Sequence, residues 1–234
     1  MPHGVGFFAR PPAGYRDVRF HLVFFSAPAH AVQALLPEPL HSPTGECVAA
    51  GLDVPESAYG AFQEAFLLMK CAFRDQTGWF CSHVFHNGPA GIAAGREIYG
   101  TPKIYSRITA DLEGEALSTE VALNTPVMRI GGTVGPPASP ALLPPLAPSW
   151  RLKVIPRADG AGLDVKQLVD CGATAHDQEL HRFAEATGAV EFFPHPRFDL
   201  TPLQPVSSGP SFYMRISYTE HFGVIVHDYL RDGR

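Results

Sequence analysis

The chain has 234 residues, 45% of them apolar and 18% charged, which is enough for a full hydrophobic core in a single domain spanning 1–234. Its net charge of −5, with no block of lysines or arginines, excludes the electrostatic footprint of a nucleic-acid binder. The 22 glycines and 23 prolines are spread along the chain and exclude a fold of long helices.

Residues 1–8 lack a basic segment followed by a long apolar one, and nowhere do roughly eighteen apolar residues run together. A cytoplasmic protein without a membrane partner is expected. Residues 18–26, rich in aromatic and β-branched side chains, predict a strand. Pro28 then suits a first helical turn, and Val32, Leu35 and Leu36 fall on one face of a short helix that Pro37 and Pro39 stop. Strands are predicted around 46–54, 64–73 and 79–86. In the second, a period of two sets Glu64 beside Phe62, Phe66 and Leu68, a costly place for a carboxylate unless it has a partner. The alternative is that Glu64 stands in water at the strand entrance.

Residues 116–123 alternate and are expected to pair with 127–134. The proline-rich stretch 135–148 cannot be a helix or a central strand, and its leucines predict an ordered, packed loop rather than a domain boundary. Further strands are predicted at 150–156, 163–170, 189–193, 212–218 and 222–230, with a turn at Asp159-Gly160. Many short strands and few helices predict an α+β fold, predominantly antiparallel β, whose sheet curls on itself.

The four cysteines form no C-x-x-C pair and are too sparse for a disulfide framework, so buried thiols are expected. His83 and His86 would point to opposite faces of a strand, and His176 and His181 fit no usual zinc spacing, so no metal site is expected. G-x-S-x-G, Walker and G-x-G-x-x-G motifs are absent. Lys103 remains, directly after Pro102 and flanked by Ile98, Tyr99, Ile104 and Tyr105. An amine attacks a carbonyl only when unprotonated, and a free lysine titrates near 10.4, so an imine-forming lysine must be desolvated or lie near another cation. Pattern alone would equally allow a solvated loop lysine.

The stretch GREIYGTPK, residues 95–103, resembles the lysine-bearing segment of the acetoacetate decarboxylase family, in which Gly-Arg-Glu leads to a Pro-Lys. Supporting features follow in the family's order: Leu36-Pro37-Glu38-Pro39-Leu40, then Phe62-Gln63-Glu64, Leu152-Lys153-Val154-Ile155-Pro156 and His227-Asp228-Tyr229-Leu230. The resemblance implies a curled β-barrel or cone, a Schiff base on Lys103, and Glu64 as the acid facing it. It also implies a homo-oligomer and no cofactor, since the protein itself carries the covalent imine.

Two positions depart from the family's decarboxylases. Their second lysine is Ile104 here, leaving Arg96 and Arg107 as neighbouring cations, and their acid on the preceding strand falls near Gly51, with Asp53 close. The N-terminal substrate arginine matches Arg16 or Arg19 loosely, and Arg96 is a third candidate for substrate binding. Tyr99 would line the pocket, one turn from Lys103 if that segment is helical. The expected function is a Schiff-base-forming lyase acting on a small keto acid or related carbonyl compound, leaning toward aldol or dehydratase chemistry. The alternatives are a β-keto acid decarboxylase and a non-catalytic barrel that binds an apolar carbonyl ligand.

Overall fold

A computed structural model describes residues 6–232, and residues 1–5, part of the stretch searched for a leader, lie outside them. The chain opens with β1 (Ala13–Ser26), a short helix α1 (Ala29–Gln33), β2 (Glu46–Val54), β3 (Glu56–Ser57), β4 (Phe62–Phe73) and β5 (Gln76–His86). A second helix, α2 (Pro89–Ala94), continues into a π turn (Gly95–Tyr99) before β6 (Lys103–Tyr105) and β7 (Arg107–Asp111). The remainder is β8 (Ala116–Leu123), β9 (Thr125–Pro137), β10 (Ser149–Pro156), β11 (Leu163–Asp170), β12 (Ala175–Ala186), β13 (Ala189–Phe192), β14 (Ser207–Glu220) and β15 (Val224–Asp228).

The main path of the sheet runs β15-β11-β10-β5-β4-β2-β1-β14-β12-β9-β8-β7, with β3, β6 and β13 attached to β1, β5 and β9. The sheet is mostly antiparallel and curled, as the strand count implies, and its path has two ends, so it does not close into a barrel. The prediction of strands was least complete at β12. Its sequence is largely polar and exposed, and it is held by backbone pairing to β14 and β9 rather than by an apolar face.

Both faces of the sheet centre are buried, which is why Leu22, Val23, Phe24 and Phe25 of β1 form a continuous apolar run instead of alternating. One face carries Val23, Phe25, Phe85, Trp150 and Phe192 and is covered by Val32 of α1. The other carries Leu22, Phe24, Trp79, Val84 and Phe212 and meets Ala94 of α2. The proline-rich loop packs against this second face through Leu143 and Leu146, and the Trp79 indole N–H donates to the Pro145 carbonyl at 2.9 Å. Among the described residues, no helix is long and apolar enough to cross a membrane.

β5 is the strand that positions the site. One edge pairs with β4 throughout, while the other is divided: Trp79 and Phe80 pair in parallel with the start of β10, and Val84 to His86 pair in parallel with β6. A bulge at Ser82 interrupts the β4 ladder between Leu67 and Leu68. It flips the first half of β5, so Cys81 joins Val84 on the second face instead of alternating away.

Candidate active site

Directly paired residues share a sheet face, and steps of two preserve it. Glu64 of β4 pairs with His86 of β5, and Val84, two residues back, pairs with Lys103 of β6. Glu64, His86 and Lys103 therefore project from the same face. Lys103 Nζ lies 2.8 Å from Glu64 Oε2, with both side chains almost wholly withdrawn from solvent. Glu64 is buried, so the strand-entrance alternative does not hold. Burial, the largest single influence, pushes its carboxyl up, but the charge and hydrogen bonding of Lys103 together with smaller contributions from its other neighbours, Arg151 among them, hold it below the usual carboxylate range.

Two glycines make this convergence possible. A Cβ on Gly95, the first residue of GRE, would lie 2.7 Å from Lys103 Cε and 2.8 Å from its Cδ. A Cβ on Gly91 would lie 2.6 Å from His86 Nε2. His86 Nδ1 accepts the Gly88 N–H at 2.8 Å, which leaves the proton on Nε2, 3.7 Å from Glu64 Oε2. That separation is too long for a hydrogen bond. Burial pushes the imidazole down to about 4, so it is neutral at neutral pH.

Two further charges reach the same cavity from distant strands. Trp150 of β10 is buried in the first core, so Arg151, the next residue, faces the other side. Its guanidinium is fixed by hydrogen bonds to the Ser149 carbonyl at 3.0 Å and Oγ at 2.7 Å. Glu220 ends β14 opposite Ala13 of β1, and accepts a 2.8 Å hydrogen bond from the Tyr15 hydroxyl, whose ring stacks on Tyr218. Burial raises the Glu220 carboxyl above its ordinary value despite the nearby Lys103. Lys103, Glu64, Arg151 and Glu220, with Tyr15, Tyr59 and Tyr99, line an enclosed cavity of about 90 Å³. A cavity of that size has room for a small polar carbonyl compound and not for a long chain.

The other residues singled out in the sequence take different places. Tyr99 lines the cavity and donates to the His221 carbonyl at 3.1 Å, but the segment between it and Lys103 is not helical, because Gly100 turns the chain at φ 76°. Arg19 pairs with Asp53 at 2.6 Å and Glu113 at 3.0 Å, away from the cavity. Arg16 is exposed and donates to the Tyr15 carbonyl. Arg96 is exposed and donates to the Lys103 carbonyl at 3.2 Å, and Arg107 borders a separate surface groove. Ile104 pairs with Phe85 and packs on the first core, so its side chain leaves from the face opposite Lys103. At Gly51 a Cβ would lie 2.9 Å from Thr119 Cβ, leaving no room for an acid. Among the described residues, no three His, Cys, Asp or Glu side chains gather as a metal site. Arg151, Glu220 and Tyr59 had no motif to mark them. The only local signal for Arg151 was a charge in an otherwise apolar strand start, directly before the quoted Leu152-Lys153.

Comparison with known proteins bears on the fold and the family. Residues 2–230 match the family described as acetoacetate decarboxylase (ADC). The chain is 28% identical over 239 residues to an acetoacetate decarboxylase of Chromobacterium violaceum, covering 95% of this chain and 92% of that one. Its fold superposes on the crystal structure of acetoacetate decarboxylase from Legionella pneumophila with a TM-score of 0.88 at 20% identity, covering 98% and 94% of the two chains. It also superposes on the enduracididine biosynthesis enzyme MppR complexed with pyruvate, with a TM-score of 0.81 at 18% identity and coverage of 97% and 94%. With a match that runs nearly end to end, the chain belongs to the acetoacetate decarboxylase family.

Proposed function

We propose that this protein is a Schiff-base-forming lyase acting on a small keto acid through Lys103. The observation that carries the reading is the 2.8 Å approach of Lys103 Nζ to Glu64 Oε2 inside a small enclosed cavity that also holds the Arg151 guanidinium. Glu64 is within reach to take the ammonium proton, freeing the amine to attack the keto carbon. The carbinolamine then loses the former keto oxygen as water, leaving an iminium on Lys103. Arg151 is suited to the substrate carboxylate, because a fixed guanidinium matches it with parallel N–H donors.

From the iminium, two courses are open. Transfer of an α-proton to Glu64 gives an enamine, which attacks the carbonyl carbon of an aldehyde. Loss of water from that adduct and hydrolysis of the imine then release an unsaturated keto acid. Alternatively, a β-carboxylate leaves as carbon dioxide, its bonding pair forming the enamine. We favour the first course. Carbon dioxide loss requires a carboxylate free to shed its charge, whereas pairing with Arg151 stabilises the carboxylate and holds it in place. Glu220, whose carboxyl burial raises above its ordinary value, is the group suited to give a proton to a departing or developing hydroxyl. A pyruvate complex of the similarly folded MppR supports a keto acid of this size, and the curated relatives' name supports decarboxylation as the second reading. No cofactor is needed, since the imine is carried by the chain. A homo-oligomer in the cytoplasm remains part of the proposal.

Trapping tests the reading. Incubation with pyruvate or acetoacetate followed by borohydride should add the reduced keto acid to Lys103, detected by mass spectrometry, and Lys103→Ala should abolish the adduct. Absence of any adduct across a panel of keto acids would refute the Schiff-base mechanism. Rapid carbon dioxide release from acetoacetate would move the assignment to a decarboxylase, and formation of an α,β-unsaturated product from pyruvate and an aldehyde supports the first course.

A further inference from the structure

Three tyrosines line the cavity, and two of their hydroxyls are occupied by protein. Tyr15 donates to Glu220 Oε2 at 2.8 Å and Tyr99 to the His221 carbonyl at 3.1 Å. Tyr59 differs. It is only 8% exposed, its ring packs edge-on against Tyr15 with centroids 6.0 Å apart, and its shielded hydroxyl has no hydrogen-bond partner among the described residues.

The turn that carries Tyr59 is built and not loose. Ser57 Oγ accepts the Tyr59 N–H at 3.1 Å and donates to the Gly60 carbonyl at 2.7 Å, while Gly60 takes φ 87°. Burial pushes the phenol up to about 12, so at neutral pH it is a donor and not a phenolate. A buried donor without a partner is a costly arrangement, and phenylalanine would pack the same ring without that cost. A ligand oxygen in the cavity would supply the missing partner.

The identity of that oxygen follows from counting, and the count rests on the proposed imine chemistry. In a plain keto acid the carboxylate is matched by Arg151, and the keto oxygen leaves as water when the iminium forms. That leaves no keto oxygen for Tyr59, and a carboxylate turned toward Arg151. We infer that Tyr59 is a specificity-determining residue that donates to an additional oxygen on the substrate's carbon chain. The preferred substrate is accordingly a 2-oxo acid hydroxylated beyond the enamine carbon, the form in which an aldol adduct is bound. An aldehyde acceptor would present the same oxygen as a carbonyl before the carbon–carbon bond forms.

Two keto acids that differ by one hydroxyl test this: 2-oxobutanoate and 4-hydroxy-2-oxobutanoate. The readout is the concentration giving half-maximal borohydride trapping on Lys103. With the unaltered protein, the hydroxylated acid should saturate at a concentration about tenfold lower or more. In Tyr59→Phe this preference should fall to about twofold or less, because the hydroxylated acid loses more than 2-oxobutanoate does. Thermal unfolding of the variant checks that its fold is kept. If Tyr59→Phe does not fold, the unaltered protein still decides, since equal saturation by the two acids overturns the inference. Equal weakening of both acids in the variant overturns it as well. Failure of the unaltered protein to trap any keto acid refutes the imine itself, and with it this assignment, a result distinct from trapping without preference. Repeating the trapping of pyruvate with glycolaldehyde present separates the acceptor's oxygen from that of a preformed hydroxy acid. An acceptor effect lost in Tyr59→Phe assigns the contact to the aldehyde stage.

Discussion

Gly95 takes no part in the chemistry, yet it decides where Lys103 can reach. The lysine stem passes so close over its Cα that a methyl group would collide with Cδ and Cε. Gly95→Ala should therefore cut the rate of borohydride-trapped adduct formation by about tenfold or more, a misplacement effect, because Gly95 opens the π segment with right-handed helical angles that alanine adopts freely. Adduct formation at the parental rate would show that the stem has room to move. The glycine of GRE thus has a steric reason; that motif made Lys103 legible from sequence, and Phe62-Gln63-Glu64 did the same for Glu64. Arg151, Glu220 and Tyr59 were not legible, because they come from β10, from the end of β14 and from the turn after β3, and meet only when the sheet curls. Arg16 and Arg19 attracted attention by type and position, but pairing of Arg19 with Asp53 in the neighbouring strand uses its charge on the outside.

At the scale of elements, the turn between the π segment and β6 aims the lysine. Gly100 closes that segment at φ 76°, a conformation that costs a side-chain-bearing residue about 1–2 kcal/mol, and its Cα is pressed on β10, where a Cβ would lie 2.6 Å from Lys153 N. Lys153 in turn donates through Nζ to the Ile98 carbonyl at 3.3 Å, tying β10 to the π segment. Gly100→Ala should lower the melting temperature by roughly 2–8 °C from the backbone conformation alone, and by more once the collision is included. An unchanged melting temperature would mean that β10 yields freely. Strand existence was readable wherever apolar residues alternated or ran together, as in β1, β2 and β8. The three-residue β6 carries no such pattern, and its extended form follows from pairing with the free half of the β5 edge. The π segment was equally silent in the sequence; Gly100 closes it and Lys153 of β10 ties to it.

Across the whole molecule, the cavity joins strands from both halves of the chain, so its ionisation bears on global stability. The Glu220 carboxyl is raised in the native state, meaning that the folded protein keeps this proton at pH values where the unfolded chain has lost it. Stability from this group falls as pH rises through that window, above the unfolded value near 4.3. Glu64 has the opposite sign: its lowered value contributes stability above the unfolded value, which is lost as pH falls through the native one. Glu220→Gln keeps an acceptor for Tyr15 and removes the penalty, so its stability relative to the parent should increase between about pH 4 and pH 7. Urea unfolding at the two pH values measures this, and a constant difference would place the Glu220 carboxyl at its ordinary value.

The divided edge of β5 also says how such a site can be retuned. Lys103 and Arg151 hang from the same edge on two short strands, separated in sequence by β7, β8, β9 and the proline-rich loop. Each strand meets β5 through only two or three residue pairs, while β10 is held along its length by β11 and tied to the π segment before β6 through Lys153. The spacing between Lys103 and Arg151 is therefore set by the contact of Gly100 with Lys153 as much as by the edge itself. A change in the turn at Gly100 would move both side chains relative to one another, and with them the shape of the cavity they line.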